Sequence, residues 1–144
     1  MTMNDSFDLA RFTAAQDGVY AGVMEELRRG KKTGHWIWYI FPQIAGLGRS
    51  HMSRRFGIAS IDEAKAYIRH PVLGPRLIEC IELLLAVEGN TARQIFGPVD
   101  ALKFRSCLTL FSTVERGTDV CRRALVKYYD GIADPLTTRA LGDN

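Results

Sequence analysis

His35-Trp36-Ile37-Trp38-Tyr39-Ile40-Phe41-Pro42-Gln43 is the stretch whose reading decides the fold class. Its aromatic and β-branched residues suit the pleated surface of a sheet. A strand needs partners, because an isolated strand is not stable in water. Alternating apolar and polar positions are nearly absent elsewhere, so no second strand is available to pair with it. The run therefore reads as a helical turn or an extended buried segment. It halts before Pro42, because the residue ahead of a proline is pushed out of the helical region.

On either side the pattern is helical. Leu9 and Phe12, with Ala15 or Gln16, form a short amphipathic helix after Asp8. Val19, Tyr20, Val23, Met24 and Leu27 recur at three- and four-residue spacing up to Gly30, and Arg28 and Arg29 suit the negative end of that helix. After the Gly46-Leu47-Gly48 turn, Ser50 caps a short helix through Arg55, ended by Gly57. Ser60-Ile61-Asp62-Glu63 reads as a capping box opening a helix to about Arg69. Pro71 then fits the first turn of a longer helix with Leu73, Leu77, Ile81, Leu84 and Leu85 on its apolar stripe, ended by Gly89-Asn90.

Thr91-Ala92-Arg93-Gln94 is a second capping box, starting a turn that ends at Gly97. Asp100 to Val114 is a helix with Phe104, Cys107, Leu108, Phe111 and Val114 inward. Thr118 caps a helix holding Val120, Cys121, Ala124, Leu125 and Tyr128, and Asp134-Pro135 starts a last short turn. These signals specify an all-α, compact multihelical array of about nine mostly short helices. One domain is expected over residues 1–144, with an ordered core over about 7–141. A long regular four-helix bundle would need fewer and longer helices.

Composition excludes several classes. Hydrophobic residues make up 47% and charged residues 24%, as in an ordinary soluble globular chain. No apolar run is long enough to span a membrane. The N-terminus, Met1-Thr2-Met3-Asn4-Asp5, lacks the basic and apolar regions of a signal peptide. Cys80, Cys107 and Cys121 are an odd set without CxxC spacing, each in a helical apolar pattern, which fits buried thiols in a cytoplasmic protein. No metal-ligand spacing exists among histidines and cysteines, and no cofactor motif stands out.

The functional signal is a local charge asymmetry. Residues 27–61 hold no aspartate or glutamate, but they hold seven lysines or arginines, two histidines and both tryptophans. A basic block around aromatic rings attracts an anion and offers it a flat apolar surface. The net charge of +3 is mild for a committed duplex-DNA binder. Large aromatics serve the core first, so most of these rings are expected to be buried. Trp36 or Trp38 would stack on a ligand if either lines a cleft. Gln43 and Ser50 would hydrogen-bond to it, and Arg49 and Lys103 would supply charge. Ser106, one turn beyond Lys103, would add a hydroxyl. His35 is the residue placed to carry a proton if any chemistry follows.

The same residues resemble an uncharacterised bacterial family, domain-of-unknown-function family 1810. Its members often carry the automatic label calpastatin, a name with no evident physical basis here. The resemblance runs from about Leu9 to Leu141. It rests on His35–Gln43, Gly46-Leu47-Gly48-Arg49-Ser50, Tyr67-Ile68-Arg69-His70-Pro71-Val72-Leu73, Ile95-Phe96-Gly97 and Asp100-Ala101-Leu102-Lys103 followed by Leu110-Phe111. One mild departure is Cys107, where a small polar residue is common. The resemblance implies a compact all-helical fold and no particular activity. It also implies that His35–Gln43, Arg49–Ser50, His70–Pro71 and Asp100–Ser106 could meet as one polar-aromatic site.

Three functions compete. The leading one is a cleft for a small anionic ligand, with nucleotide-like molecules among the candidates. The second is binding of single-stranded nucleic acid by the basic-aromatic stretch, which steep salt dependence would betray. The third is a protein-interaction module without a small-molecule ligand, using exposed rings as anchors. A signature that serves folding alone is the baseline against which all three stand.

Overall fold

The computed structural model describes residues 5–142. Ten helices occupy them: α1 (Ala10–Asp17), α2 (Tyr20–Arg29), α3 (Ile37–Ile40), α4 (His51–Phe56), α5 (Ile61–Arg69), α6 (Leu73–Ala86), α7 (Ala92–Phe96), α8 (Pro98–Ser112), α9 (Thr118–Tyr129) and α10 (Pro135–Ala140). The strand-like run becomes the single helical turn α3. Among the described residues the only β-pairing is one isolated parallel bridge between Ile44 and Ile58.

The helix α8 is the central element, packing against α3, α5, α7, α9 and α10. Ala101, Phe104, Ser106, Cys107, Leu108, Thr109, Leu110 and Phe111 are all buried on it. The run Ser106–Phe111 is buried all round, as a helix segment inside a core is. Phe104 sits among four rings, with centroids 4.7 Å from Phe41 and Phe96, 6.3 Å from Tyr128 and 6.2 Å from Tyr129. Such pairs add about 0.5–1.5 kcal/mol each beyond burial of area. Trp36, Ile37, Ile40 and Phe41 are all buried in this core, and Trp38 and Tyr39 are partly exposed against it. The signature run is thus mostly core.

Several local expectations are corrected. Pro71 lies outside α6; Val72 is the N-cap, and Pro75 occupies the first turn. The imidazole Nδ1 of His70 accepts the Val72 and Leu73 N–H groups at 3.1 and 3.2 Å, so a histidine caps this helix. The long central helix starts at Pro98, not Asp100, because proline suits a first-turn position whose N–H would be unsatisfied anyway. Gly117, not Thr118, is the N-cap of α9. The Thr118 hydroxyl instead donates back to the Val114 carbonyl at 3.0 Å. The Thr91–Gln94 capping box forms in full.

At Ser60 only half of the box forms. The serine oxygen accepts the Glu63 N–H, but Glu63 Oε1 takes the Ala59 N–H at 2.9 Å instead of reaching back to Ser60. Its other oxygen meets Arg11 Nη2 at 2.7 Å. Arg11 also donates from Nε to the Arg55 carbonyl, from Nη1 to the Phe7 and Asp8 carbonyls, and from Nη2 to the Gly57 carbonyl. Five donors meet five acceptors, and this clasp ties α1 to α5 and to the residues that close α4.

Candidate functional site

Three segments build one cleft, beginning with the loop between α3 and α4. Ile58 N–H donates to the Gln43 carbonyl at 2.9 Å, and Ala45 N–H donates to the Ile58 carbonyl at 2.8 Å. These bonds fix Gln43 beside the end of α4. Gly48 then drops onto α4 so closely that a Cβ there would lie 2.5 Å from Ser53 Oγ. Ser50 caps α4 by accepting the Ser53 N–H at 3.1 Å, and its own hydroxyl donates to Ser53 Oγ at 2.9 Å. Arg49, between the turn and the cap, is exposed.

The second segment is the outer face of α8. Val99, Leu102, Lys103 and Ser106 follow at three- and four-residue steps, so they share one face. The third is the start of α10, with Asp134 at its N-cap and Leu136 behind it. Together with Gln43, Leu47, Gly48, Arg49, Ser50 and Ser53 these residues line a surface cleft of about 460 Å³. That volume falls within the range of small-molecule pockets, roughly 300–1,000 Å³.

The wall is aliphatic. Val99, Leu102 and Leu136 are 63%, 62% and 56% exposed, an unusual concentration of bare apolar side chains at one place. The polar groups are unevenly satisfied. Asp100 is shared by two lysines, Lys32 at 2.8 Å and Lys103 at 3.5 Å. Lys32 is nearly buried and also lies 5.0 Å from the Trp36 ring centroid. Lys103 is the looser partner, 5.9 Å from the centroid of Trp38 and facing the cleft. The Lys32–Asp100–Lys103 triad keeps one surplus positive charge, and Lys103 has donors to spare.

At the other end, Asp134 Oδ2 accepts three hydrogen bonds: from Ser106 Oγ at 3.0 Å, Thr137 N at 3.1 Å and Thr137 Oγ1 at 2.6 Å. Its backbone N–H donates to Thr109 Oγ1 at 2.9 Å. Asp134 is therefore rigidly seated, with Oδ1 accepting nothing from the described residues.

Gln43, Arg49, Ser50, Lys103 and Ser106, named from the sequence, meet in this cleft. Trp38 sits beside it, against Lys103, and does not line it. Trp36 and His35 lie elsewhere. Trp36 is 3% exposed, and its indole N–H donates to Glu26 Oε1 at 3.1 Å. His35 is exposed at a separate hollow of about 320 Å³ with Glu26, Gly34, Trp36 and Tyr39, which shares no lining residue with the cleft. Glu26 Oε1 also accepts the Thr33 and Gly34 N–H groups at 2.6 and 2.8 Å. Partial burial would raise the Glu26 carboxyl, but the Gly34 and Thr33 amides and the Trp36 indole hold it below its ordinary value.

The N-terminus of the short α4 adds little to anion binding. Six residues carry little macrodipole, and Ser50 already takes one of its free N–H groups. Sequence reasoning missed Leu47, Ser53, Val99, Leu102, Asp134 and Leu136 as site residues. The aliphatic ones carry no local sequence signal and are marked only by their joint exposure around the cleft.

Among the described residues, no group of three or more His, Cys, Asp or Glu side chains gathers to hold a metal ion. No helix there is long and apolar enough to cross a membrane.

The model of a family described as protein of unknown function, DUF1810, matches residues 6–141. The crystal structure of the conserved hypothetical protein Rv1873 from Mycobacterium tuberculosis is similar at 49% identity, covering 96% of this chain and 99% of that one, with a TM-score of 0.91. No curated protein matches. A family match spanning nearly the whole chain, with a close structural relative of the same all-α fold, makes this chain a member of the DUF1810 family of proteins of unknown function.

Proposed function

We propose that the protein binds a small organic anion in the cleft between the Gln43–Ser53 segment, α8 and the start of α10. The observation that carries the reading is the meeting of Lys103 and Arg49 with an exposed aliphatic wall in one hollow. Burying the ligand's body on Val99, Leu102, Leu136 and Leu47 supplies affinity, at about 25 cal/mol per Å² of apolar area. The two cations, Gln43 and Ser50 orient the anionic head. The wall is aliphatic and holds no aromatic ring, which favours an aliphatic body over a stacked base. The ligand is bound without an assigned reaction, because His35 faces a different hollow.

The free, buried thiols Cys80, Cys107 and Cys121 support a reducing, cytoplasmic setting. Burial pushes Cys80 and Cys121 up to about 12 and keeps them as unreactive thiols.

A second reading has one observation of its own: Val99, Leu102 and Leu136 could instead seat a protein partner. Single-stranded nucleic acid is less favoured, because Trp36, Phe41 and Phe56 are buried and offer no stacking face.

The test is a titration followed by tryptophan fluorescence, reading Trp38 beneath Lys103, with short aliphatic carboxylates, phosphate monoesters and an oligonucleotide. A saturable change with a carboxylate, weakened at least about tenfold by Lys103→Gln, is expected for loss of a charged hydrogen bond. Response to the oligonucleotide alone, erased by salt, would replace the proposal with nucleic-acid binding. No response, with self-association that Leu102→Asp abolishes, would replace it with the partner reading.

A further inference from the structure

We propose that the ligand is a zwitterion, a free aliphatic α-amino acid. Its carboxylate would sit on Lys103 and Arg49, its ammonium on Asp134 and its side chain on the aliphatic wall. This inference rests on the anion-site reading above and adds a second, opposite pole to it.

The second pole is Asp134. Three donors, Ser106 Oγ, Thr137 N and Thr137 Oγ1, converge on Oδ2 and fix the carboxylate at the edge of the cleft. Oδ1 accepts no hydrogen bond from the described residues, and no lysine or arginine among them pairs with Asp134. Beyond its cap on α10, Asp134 brings to the cleft a carboxylate that no cation among the described residues pairs, and that like charge would weaken the binding of a simple anion. An ammonium group turns that cost into a gain and supplies the donors Oδ1 lacks.

The spacing of the poles fits one small molecule. Lys103 and Ser106 are three residues apart on α8, about 5–6 Å between Cβ atoms. Ser106 Oγ touches the Asp134 carboxylate at 3.0 Å. The side chains that present the cationic pole and hold the anionic one therefore rise from α8 about one helical turn apart. An α-amino acid carries its ammonium and carboxylate on one carbon and reaches each pole with one charge-assisted hydrogen bond of about 2.8 Å. Between and beside the poles stand Leu102, Val99 and Leu136, which select an aliphatic side chain. A phosphate monoester brings two negative charges toward Asp134 and no donor for Oδ1, so the same carboxylate discriminates against it.

Calorimetry on the full chain with three probes that share one isobutyl group separates the poles. L-Leucine carries both charges, isocaproate only the carboxylate and isoamylamine only the ammonium. Leucine is expected to bind at least about tenfold tighter than either. Asp134→Asn keeps a good N-cap for α10 and removes the charge. It should abolish leucine's advantage while improving isocaproate binding, with a cooperative urea transition showing that the chain still folds. Isocaproate binding as tightly as leucine would overturn the zwitterion and leave the anion site standing. Absence of binding by leucine and isocaproate alike would overturn both. The three-probe comparison on the unmodified chain decides the matter even if the variant does not fold.

Discussion

Replacing Arg11 by methionine should cost the fold about 3–5 kcal/mol, the range for removing one partner of a buried ion pair. The Arg11 and Glu63 side chains are 9% and 3% exposed and meet at 2.7 Å. Methionine fills much of the same volume, so the loss is mainly polar. It strips Glu63 Oε2 of its cation and leaves Glu63 only the Ala59 N–H on its other oxygen. The Arg55 and Asp8 carbonyls lie in exposed contacts, so water can replace their donors at little cost. The Phe7 and Gly57 carbonyls are part-buried and add to the loss. At about 4 kcal/mol the melting temperature of a chain this size drops by roughly 8–16 °C. Arg11→Lys should recover only part, because three ammonium donors cannot meet five acceptors. Adding Glu63→Gln to Arg11→Met should restore more than it costs, since the orphaned charge is then gone. Urea unfolding, read by the fluorescence of buried Trp36, gives each value. A loss below about 1 kcal/mol for Arg11→Met would refute the clasp, because that is the scale of an exposed pair.

Two further perturbations follow from the loops that set the site. Gly57→Ala places a Cβ 2.9 Å from the Ala45 Cα and 3.1 Å from the Ser53 carbonyl. It should destabilise by about 1–3 kcal/mol and weaken ligand binding together, because it disturbs the bridge that fixes Gln43; a urea midpoint and a titration on one sample check both. Glu26, held below its ordinary value of 4.5, contributes stability that is fully present above that pH and fades as pH falls through the lower folded value. Stability measured downward from pH 5 should decline less steeply in Glu26→Gln than in the unmodified chain, and parallel profiles would remove Glu26 from the explanation.

Local rules made the helices legible. Ser50, Asp134 and Thr91–Gln94 are caps in the structure as in the sequence, because capping depends on residues three positions apart. The misreadings arose where distance in the chain mattered. Glu63 has the spacing of a capping-box acid, yet its partner Arg11 lies 52 residues away. Gly117 lies so close to the Phe111 carbonyl that a Cβ would sit 2.5 Å from the oxygen, a demand of the turn between α8 and α9 that Thr118-Asp119 does not display.

The polar half of the candidate site was legible for a similar reason. Gln43, Arg49 and Ser50 lie in one short segment, and Lys103 and Ser106 are one helical turn apart. Trp36 and His35 adjoin that segment in sequence, but the α3 turn carries them toward Glu26 and away from the cleft. Val99, Leu102 and Leu136 break no local rule; only their joint exposure around one hollow marks them. Asp134 reads as a helix cap, and its free oxygen becomes visible only once Ser106 and Thr137 are seen to occupy the other.

The most direct measurement is to map backbone and side-chain amide shifts by NMR while L-leucine is added to the isotope-labelled chain. Saturable shifts confined to Gln43–Ser53, Val99–Ser106 and Asp134–Leu136, and absent from His35 and Trp36, are the predicted result. Shifts centred on the Glu26–His35 hollow, shifts scattered over the surface, or no shifts at all would contradict a ligand site in the cleft.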